Sequence, residues 1–322
     1  MKKYLWIVLL LVIVLPFIMP NDYYLNILVR FGIFALFAVS LNLIIGYIGE
    51  ISFGHAAFFG LGAYFSTLIR QELDISFWIS VLISLVLVAF IGMVVGLLSL
   101  RLQGVHFAII TLAFAEVFRL IILNLTDITR GAMGVSVKSP TLPFTEIVLT
   151  DSYIYYYLVF AILIVVLFLK NHMLKTPFGK GIIAIREGNT LASSIGINVT
   201  KYKVITFTIS AVIAAMAGIL YAPFVGIITP DLLSVHYTTD ALLMVVVGGM
   251  GVLYGPLIGA FVFTVIPELL WMAPPVQLMV FGLILLLSIL FMPKGIASIV
   301  QKYTRSAKNR NDKRLANKLN ES

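Results

Sequence analysis

The stretch "GEISFGHAAFFGLGAYF", residues 49–65, decides the fold class because it is both apolar and rich in glycine. It is too apolar for a surface loop, and it has too many glycines for an ordinary helix. It also places Glu50 and His55 beside a long hydrophobic run. Such a segment is typical of a bent or broken helix inside a membrane protein, where small residues let helices approach closely.

The composition of the whole chain indicates the same class of protein. The 322 residues are 61% hydrophobic and only 11% charged, and the mean hydropathy is +1.08. Soluble domains carry about a quarter charged residues, so a soluble fold is disfavoured. The net charge of +8 indicates basic residues on the cytoplasmic side of a membrane rather than nucleic-acid binding. The chain has no cysteine, which excludes disulfides, thiol catalysis and cysteine-ligated metals.

Apolar runs long enough to cross a bilayer recur along the chain. We predict an all-α polytopic membrane protein with about eight to ten transmembrane helices and with broken or re-entrant glycine-rich segments. The predicted spans are residues 4–20, 27–48, 51–69, 77–99, 106–124, 153–169, 204–224, 237–249, 253–271 and 276–292. Of these, 51–69 and 237–249 are the candidates for broken or re-entrant elements. The run 4–20 resembles a signal peptide, but no small-residue cleavage site follows it, which favours a retained helix.

The basic residues assign sides to this layout. Most lysines and arginines lie in the polar stretch 170–203 and in the C-terminal tail, and two lysines precede the first span. The positive-inside rule therefore places these regions and the short link at Arg101 in the cytoplasm, with both termini inside. We predict a membrane domain at 1–304 and a basic, disordered cytoplasmic tail at 305–322.

A second glycine-rich segment, "VVVGGMGVLYGPLIGA" at 245–260, is the counterpart of the first. Its glycines and Pro256 disfavour one unbroken helix. Irregular backbone at membrane depth persists only where protein or a water-filled cavity satisfies it, and broken segments in both halves of a transporter point to its pathway. We therefore assign to a translocation pathway the glycines Gly54, Gly248, Gly249 and Gly251. Close packing of an ordinary helix bundle is the alternative.

Polar side chains within the apolar runs are further candidates for this pathway. Glu116 and Arg119 lie one helical turn apart, so they either pair with each other or leave Glu116 to line the pathway with Thr111. His55 is either a hydrogen-bonding group between helices or a substrate contact. Ser52 is suited to cap the following helix, and the same helix N-terminus can receive a carboxylate.

Motifs for catalysis and nucleotide binding are missing from the sequence. No nucleophile–base arrangement and no metal-ligand spacing is visible. The stretch "PFGKG" at 177–181 contains Gly-Lys but lacks the leading glycine and the Ser/Thr of a phosphate-binding loop. We therefore expect neither an enzyme nor a chain that binds ATP or another cofactor itself.

The most specific stretch is "KTPFGKGIIAIREGNTLASSIGINVTKYK", residues 175–203. Its pattern predicts a short helix as far as Arg186, an interruption at Glu187–Asn189 and a second short helix that Gly196 ends. The result would be a compact helix–turn–helix knob on the cytoplasmic face that docks another protein, with Ala192 and Ile195 exposed or half-buried. An ordinary basic loop is the alternative.

Several motifs, in this order, resemble those of permease subunits of branched-chain amino acid ABC importers, specifically the M-type member of the permease pair. They are "LNLIIGYIGEISFGHAAFFGLGAY", "RLQGVHFAIITLAFAEVFR", "TPFGKGIIAIREGNTLASSIGINVTKYK", "VVVGGMGVLYGPLIGA" and "FMPKGI", which together cover most of residues 39–296. The sequence departs from the family in "TDITRGAMGV" at 126–135, where Thr-Gly-Gly is more usual, and at Val252, where Thr is usual. Both departures bear on substrate identity more than on family membership.

The resemblance implies a permease that forms the pathway for leucine, isoleucine or valine in a bacterial or archaeal cell (inner) membrane. Its implied partners are a homologous second permease, two ATP-binding cassette subunits that bind the ATP, and an extracytoplasmic substrate-binding protein. The positions that match the family's motif for coupling to the ATPases are Arg186, Glu187, Ala192 and Gly196.

The sequence leaves the substrate open. A zwitterionic amino acid needs donors for its carboxylate, an acceptor for its ammonium and an apolar wall, and Ser52 and Phe53 suit the first and last of these roles. Urea or short amides, the cargo of close relatives of the family, need only hydrogen-bonding groups. A transporter driven by protons or sodium, with Glu116 and His55 as relay groups, is the alternative from another class.

Overall fold

Helices form nearly all of the regular structure in the computed structural model, which describes residues 21–140 and 152–269 together with isolated positions at 12, 14–16, 276, 279, 280, 282, 283, 286, 295 and 296. In chain order the helices are α1 (Asp22–Asn42), α2 (His55–Leu73), α3 (Phe77–Ser99), α4 (Val105–Asn124), α5 (Thr126–Thr129), α6 (Ser152–Lys175), α7 (Pro177–Glu187), α8 (Asn189–Ser194), α9 (Val199–Val225), α10 (Val235–Gly248) and α11 (Gly255–Leu269). A π-helix, Leu43–Ile48, continues α1. Strand β1 (Val135–Ser136) pairs antiparallel with β2 (Ile227–Ile228).

Five of the described helices are long and apolar enough to cross a membrane. They are Asp22–Ile48, Phe77–Ser99, Val105–Asn124, Ser152–Lys175 and Val199–Val225, and α10 and α11 are shorter apolar helices. These elements confirm the predicted all-α polytopic membrane protein. The predicted spans 4–20 and 276–292 lie largely outside the described residues, as does the whole tail 305–322, so the total number of spans stays a prediction.

Small residues hold the centre of the bundle together. Helix α9 packs against both α1 and α2 there, while α3, α4 and α6 leave much of their apolar surface exposed. A Cβ at Gly218 on α9 would lie 1.8 Å from the carbonyl oxygen of Phe59, and one at Gly62 on α2 would lie 2.4 Å from that of Ala215. Backbone contact of this kind replaces the hydrophobic driving force that lipid does not supply.

Both glycine-rich segments are interrupted helices. In the first break, residues 49–54, the chain turns at Gly49 with φ +85° and α2 begins only at His55 rather than near residue 51 as predicted. In the second break, residues 249–254, Gly249 and Gly251 adopt φ +123° and +72°, which favour glycine. The predicted broken segments are therefore confirmed.

The stretch between α6 and α9 forms two short helices, as its pattern predicts. Pro177 occupies the first turn of α7, and the Thr176 hydroxyl accepts a hydrogen bond from the Gly179 amide. Gly196 takes φ +84° after α8, and the Asn198 side chain caps α9 by accepting from the Lys201 amide at 3.0 Å. We call residues 177–196 the knob.

The described contacts group residues at the two ends of the bundle. At the end opposite the knob, the β1–β2 ribbon forms and the Arg70 guanidinium donates to the carbonyls of Lys138 and Ser139 at 2.7 and 3.0 Å. At the knob end, α7 contacts the π-helix that follows α1, and the start of α9 meets the first break. Which end faces the cytoplasm stays a prediction.

Candidate functional site

Asn42, the last residue of α1, ties that helix to the second break. Its side-chain nitrogen donates to the Val252 carbonyl at 3.0 Å, and its oxygen accepts from the Gly251 amide at 2.9 Å. Glycine is required on both sides of this contact, since a Cβ at Gly46 would lie 2.4 Å from the Gly251 nitrogen. The candidate Gly251 thus lies against the end of α1 and the π-helix. Gly249 packs elsewhere, since a Cβ at Gly255 would lie 2.3 Å from its carbonyl oxygen. The packing of Gly248 is equally tight, because a Cβ there would lie 2.0 Å from the Gly255 carbonyl oxygen.

Arg186, at the end of α7, reaches this same contact from the knob. Its Nη1 donates a hydrogen bond to the Gly46 carbonyl, which lies in the last turn of the π-helix. The last carbonyls of a helix have no partner within it, so the guanidinium supplies the missing donor. A Cβ at Gly251 would lie 2.5 Å from this Nη1. A single side chain of the knob therefore bonds to the π-helix that precedes the first break and lies against the second break.

A buried ion pair joins the first break to α9. The Lys203 ammonium lies 2.7 Å from the Glu50 Oε1, and the side chains are only 2% and 7% exposed. The Gly104 amide, just before α4, donates to the Glu50 Oε2 at 2.9 Å. These contacts hold the first break, α9 and the residue before α4 together at one point. Removing either charge would leave the other buried without its partner.

Sequence reasoning missed this pair. The signal was present, since Glu50 is an acid in an apolar, glycine-rich run and a charge at such a place needs a partner. The partner Lys203, however, lies far along the chain, and its position at the end of a basic stretch made it look like a solvated residue.

Phe53, Gly54 and Thr111 come together where the first break meets α4. The Phe53 amide donates to the Thr111 hydroxyl at 3.2 Å, and that hydroxyl donates to the Ala108 carbonyl. A Cβ at Gly54 would lie 2.1 Å from the Thr111 carbonyl oxygen. This packing holds the break against α4 and leaves Gly54 no room for a side chain.

The prediction that Ser52 caps α2 is wrong. The residue before the helix is Gly54, and it makes no side-chain cap. The Ala56 amide instead donates to the Thr238 hydroxyl of α10 at 2.9 Å, so a neighbouring helix fills the position that a carboxylate would take. The Ser52 hydroxyl is fully buried and has no hydrogen-bond partner among the described residues.

His55 is a hydrogen-bonding group between helices. It is fully buried, and its Nε2 lies 3.0 Å from the Ser210 hydroxyl of α9. That hydroxyl has one proton and donates it to the Ser40 carbonyl of α1, so it accepts from the His55 Nε2–H. The imidazole also packs on the Phe37 ring, with the centroids 6.1 Å apart. The geometry favours the packing interpretation over a substrate contact.

Glu116 and Arg119 pair with each other on the exposed face of α4. Two guanidinium nitrogens, Nε and Nη2, donate to the Glu116 carboxylate at 2.9 and 2.6 Å. Thr111 on the same helix is buried, so the structure does not bring Glu116 together with it. The structure therefore favours the interpretation that Glu116 pairs with Arg119 over the one in which Glu116 lines a pathway with Thr111.

The knob presents apolar side chains on its surface. Leu191 and Ile195 are 71% and 73% exposed, and Glu187 is exposed beside them. Ala192, expected to be exposed or half-buried, lies on the inner face of α8 and is only 1% exposed. Gly196 ends this surface. Its φ is +84°, which favours glycine, although no neighbouring atom lies within 4 Å of where a Cβ would be.

Comparisons with known proteins agree with this architecture. A family model described as "Branched-chain amino acid transport system / permease component" matches residues 23–289. The high-affinity branched-chain amino acid transport system permease protein LivM of Escherichia coli K12 is 30% identical over 92% of this chain and 74% of its own length. The probable branched-chain amino acid transport permease protein LivM of Methanocaldococcus jannaschii is 28% identical over 84% of this chain and 92% of its own.

The second permease type of such systems is similar as well. The permease protein LivH of Escherichia coli K12 is 26% identical over 82% of this chain and 90% of its own. No solved structure matches significantly. The chain belongs to the family of permease components of branched-chain amino acid transport systems.

Proposed function

We propose that the chain is the M-type permease subunit of an ABC importer and forms, with a homologous second permease, the pathway for leucine, isoleucine and valine. The similarity to LivM and LivH proteins supports the subunit type and the substrate class. The observation that carries the coupling role is the hydrogen bond from Arg186 of the knob to Gly46, next to Gly251.

Two ATP-binding cassette subunits bind the ATP and dock on the knobs of the permease pair. The exposed Leu191 and Ile195 provide the apolar contact that such docking buries, and Glu187 provides a charge at its edge. Leu191 and Ile195 are four residues apart, so they form one exposed apolar patch on a basic, polar stretch. Such a patch is typical of a surface that a partner covers.

Displacement of the knob then acts on both halves of the bundle. Arg186 moves the π-helix and presses on the second break, while the Glu50–Lys203 pair carries the start of α9 along. Packed elements of this kind shift between discrete arrangements rather than deform continuously, so the pull of the ATPases rocks the bundle between inward-open and outward-open states.

The basic residues set the orientation that we propose. The knob and both termini face the cytoplasm of a bacterial or archaeal cell, and the β1–β2 end receives substrate from an extracytoplasmic binding protein. Residues 1–304 form the membrane domain, and the basic tail 305–322 lies near anionic lipid.

The test is reconstitution of the four-subunit complex with its binding protein in liposomes. We expect uptake of radiolabelled L-leucine that depends on ATP inside and on both ATPase subunits. Replacing Leu191 with Asp removes an apolar contact of about 1.5–3 kcal/mol, so ATPase retention in a pull-down falls roughly tenfold or more. Lys138→Gln, at the opposite end of the bundle, is the control.

Arg186→Gln tests the coupling contact separately. The ATPases still bind, because the knob surface is intact, but leucine transported per ATP hydrolysed falls roughly tenfold, as expected for a lost charged hydrogen bond of about 1.5–3 kcal/mol. Leucine uptake that persists without the ATPases and follows a proton or sodium gradient would show a secondary transporter instead. Uptake of urea but not of leucine would overturn the substrate class.

A further inference from the structure

Three charged side chains lie together inside apolar helices, away from the knob. Arg30 on α1, Asp240 on α10 and Glu268 on α11 border a cavity of about 80 Å³ whose other lining residues are Phe34, Met244, Phe263, Thr264 and Pro267. Along α1, Arg30 precedes the Gly46 contact by about 24 Å at 1.5 Å per residue, so the cavity belongs to the other half of the bundle. We call it the charged cavity.

The charged cavity has a polar rim and an apolar floor. The Arg30 and Glu268 side chains are 50% and 38% exposed, and the Arg30 Nη1 and Glu268 Oε2 lie 3.7 Å apart. The floor consists of Phe34, Met244 and Phe263, which are 5%, 3% and 4% exposed. The space is large enough for several water molecules.

Arg30 and Asp240 on the rim have hydrogen-bonding groups that the described residues do not use. At 3.7 Å the contact between Arg30 and Glu268 is longer than a hydrogen bond, so most of the five N–H donors of the guanidinium stay available. Asp240 forms no ion pair or hydrogen bond with the other described residues. Arg30 and His236 are the basic side chains near enough to interact with its charge.

Lipid is not a suitable environment for this rim. Charged side chains in membrane-spanning helices face water, a protein partner or a ligand, because hydrocarbon does not solvate them. The surface around Arg30, Asp240 and Glu268 therefore faces a polar space. In an importer with a second permease, that space is the pathway between the two chains.

We propose that the charged cavity binds the transported amino acid, with Arg30 on its α-carboxylate, Asp240 on its α-ammonium group, and Phe34, Met244 and Phe263 around its aliphatic side chain. This inference rests on the proposed function. A guanidinium binds a carboxylate through paired N–H donors, and a carboxylate accepts from an ammonium group. The two ends of a zwitterion therefore match the rim, and an aliphatic side chain matches the floor.

The same chemistry decides between the cargoes that the sequence leaves open. Urea and short amides carry no charge, so they would leave Arg30 and Asp240 without counter-charges when they displace water. A site built for charged groups discriminates strongly against a ligand that lacks them. The cavity therefore selects an amino acid with an apolar side chain over an uncharged amide.

The test uses the complete importer in liposomes, beginning with the unaltered complex. Absence of leucine uptake there would refute the proposed function itself, before any variant is made. With uptake established, Arg30→Gln lowers leucine transported per ATP hydrolysed roughly tenfold or more, and Arg30→Lys recovers part of it by restoring the charge. Lys138→Gln, an exposed cation at the same end of the bundle, is the matched control.

A second variant tests the floor independently of the rim. Met244→Trp reduces the space for the side chain, so the ratio of valine to leucine uptake rises severalfold. Normal leucine transport per ATP in Arg30→Gln, or an unchanged ratio in Met244→Trp, overturns the proposal. Loss of the second permease from the purified Arg30→Gln complex also overturns it, because the rim would then be a contact between the two permeases. If Arg30→Gln does not fold, the Met244→Trp ratio decides.

Discussion

The two ends of the bundle differ in how closely their charged side chains pair and in how far those side chains are buried. At the knob end, Lys203 and Glu50 are buried and 2.7 Å apart, and Arg186 is hydrogen-bonded to Gly46. At the opposite end, Arg30 and Glu268 are 3.7 Å apart and partly exposed. The buried Glu50–Lys203 pair is suited to transmit displacement because its members move together, whereas the partly exposed Arg30 keeps donors that a ligand can use. The difference supports our proposals that the knob end couples the ATPases to the bundle and that the opposite end binds the ligand.

The largest expected effect comes from breaking the buried pair. Lys203→Met leaves the Glu50 carboxylate buried with only the Gly104 amide as a donor, and we expect the free energy of unfolding to fall by about 3–5 kcal/mol. The double variant Glu50→Gln with Lys203→Met keeps the Gly104 hydrogen bond and removes both charges, so it recovers most of the loss. Unfolding of the purified protein in detergent measures both.

The matched variant at the opposite end sharpens the comparison. Arg30→Gln breaks a longer, partly exposed contact, so its stability falls by less than about 1 kcal/mol. Equal losses of stability in Lys203→Met and Arg30→Gln would remove the contrast between the two ends, and with it the argument that only one of them is a rigid coupling point.

An effect of intermediate size tests how closely the π-helix approaches the second break. Gly46→Ala places a methyl group 2.4 Å from the Gly251 nitrogen, so the two segments must separate, at a cost of about 1–3 kcal/mol. Gly282→Ala is the control, because no atom lies within 4 Å of its built Cβ. Thermal unfolding compares the two variants, and a midpoint for Gly46→Ala no lower than that of Gly282→Ala would contradict the close contact.

Local pattern was sufficient to predict the helices and their interruptions. Apolar runs, glycines beside Pro256 and the caps around the knob act within one or two turns, so their consequences can be derived from neighbouring residues. The short helices α7 and α8 are examples, since Gly188 separates them within the predicted interruption and Gly196 follows α8 as the pattern predicts.

Contacts between distant segments were beyond such reasoning. Asn42 with Gly251, Glu50 with Lys203 and the rim of the charged cavity each join residues whose separation follows no helical period. Ser52 was misassigned for the same reason. The Thr238 hydroxyl that fills its expected position comes from α10, and only packing brings it there.

The smallest expected effect concerns a third group of charges, the Glu116–Arg119 pair. Both members lie one turn apart on the exposed face of α4, so replacing them together with glutamine leaves no charge without a partner. We expect stability to change by less than about 1 kcal/mol and leucine uptake to stay near the level of the unaltered complex. An ion-driven transporter that relays protons through Glu116 would instead lose uptake in the double variant and in Glu116→Gln alike. Uptake measured with and without a proton gradient separates the two outcomes. We expect no loss, because the Glu116–Arg119 pair touches neither the Arg186 and Glu50–Lys203 contacts nor the charged cavity.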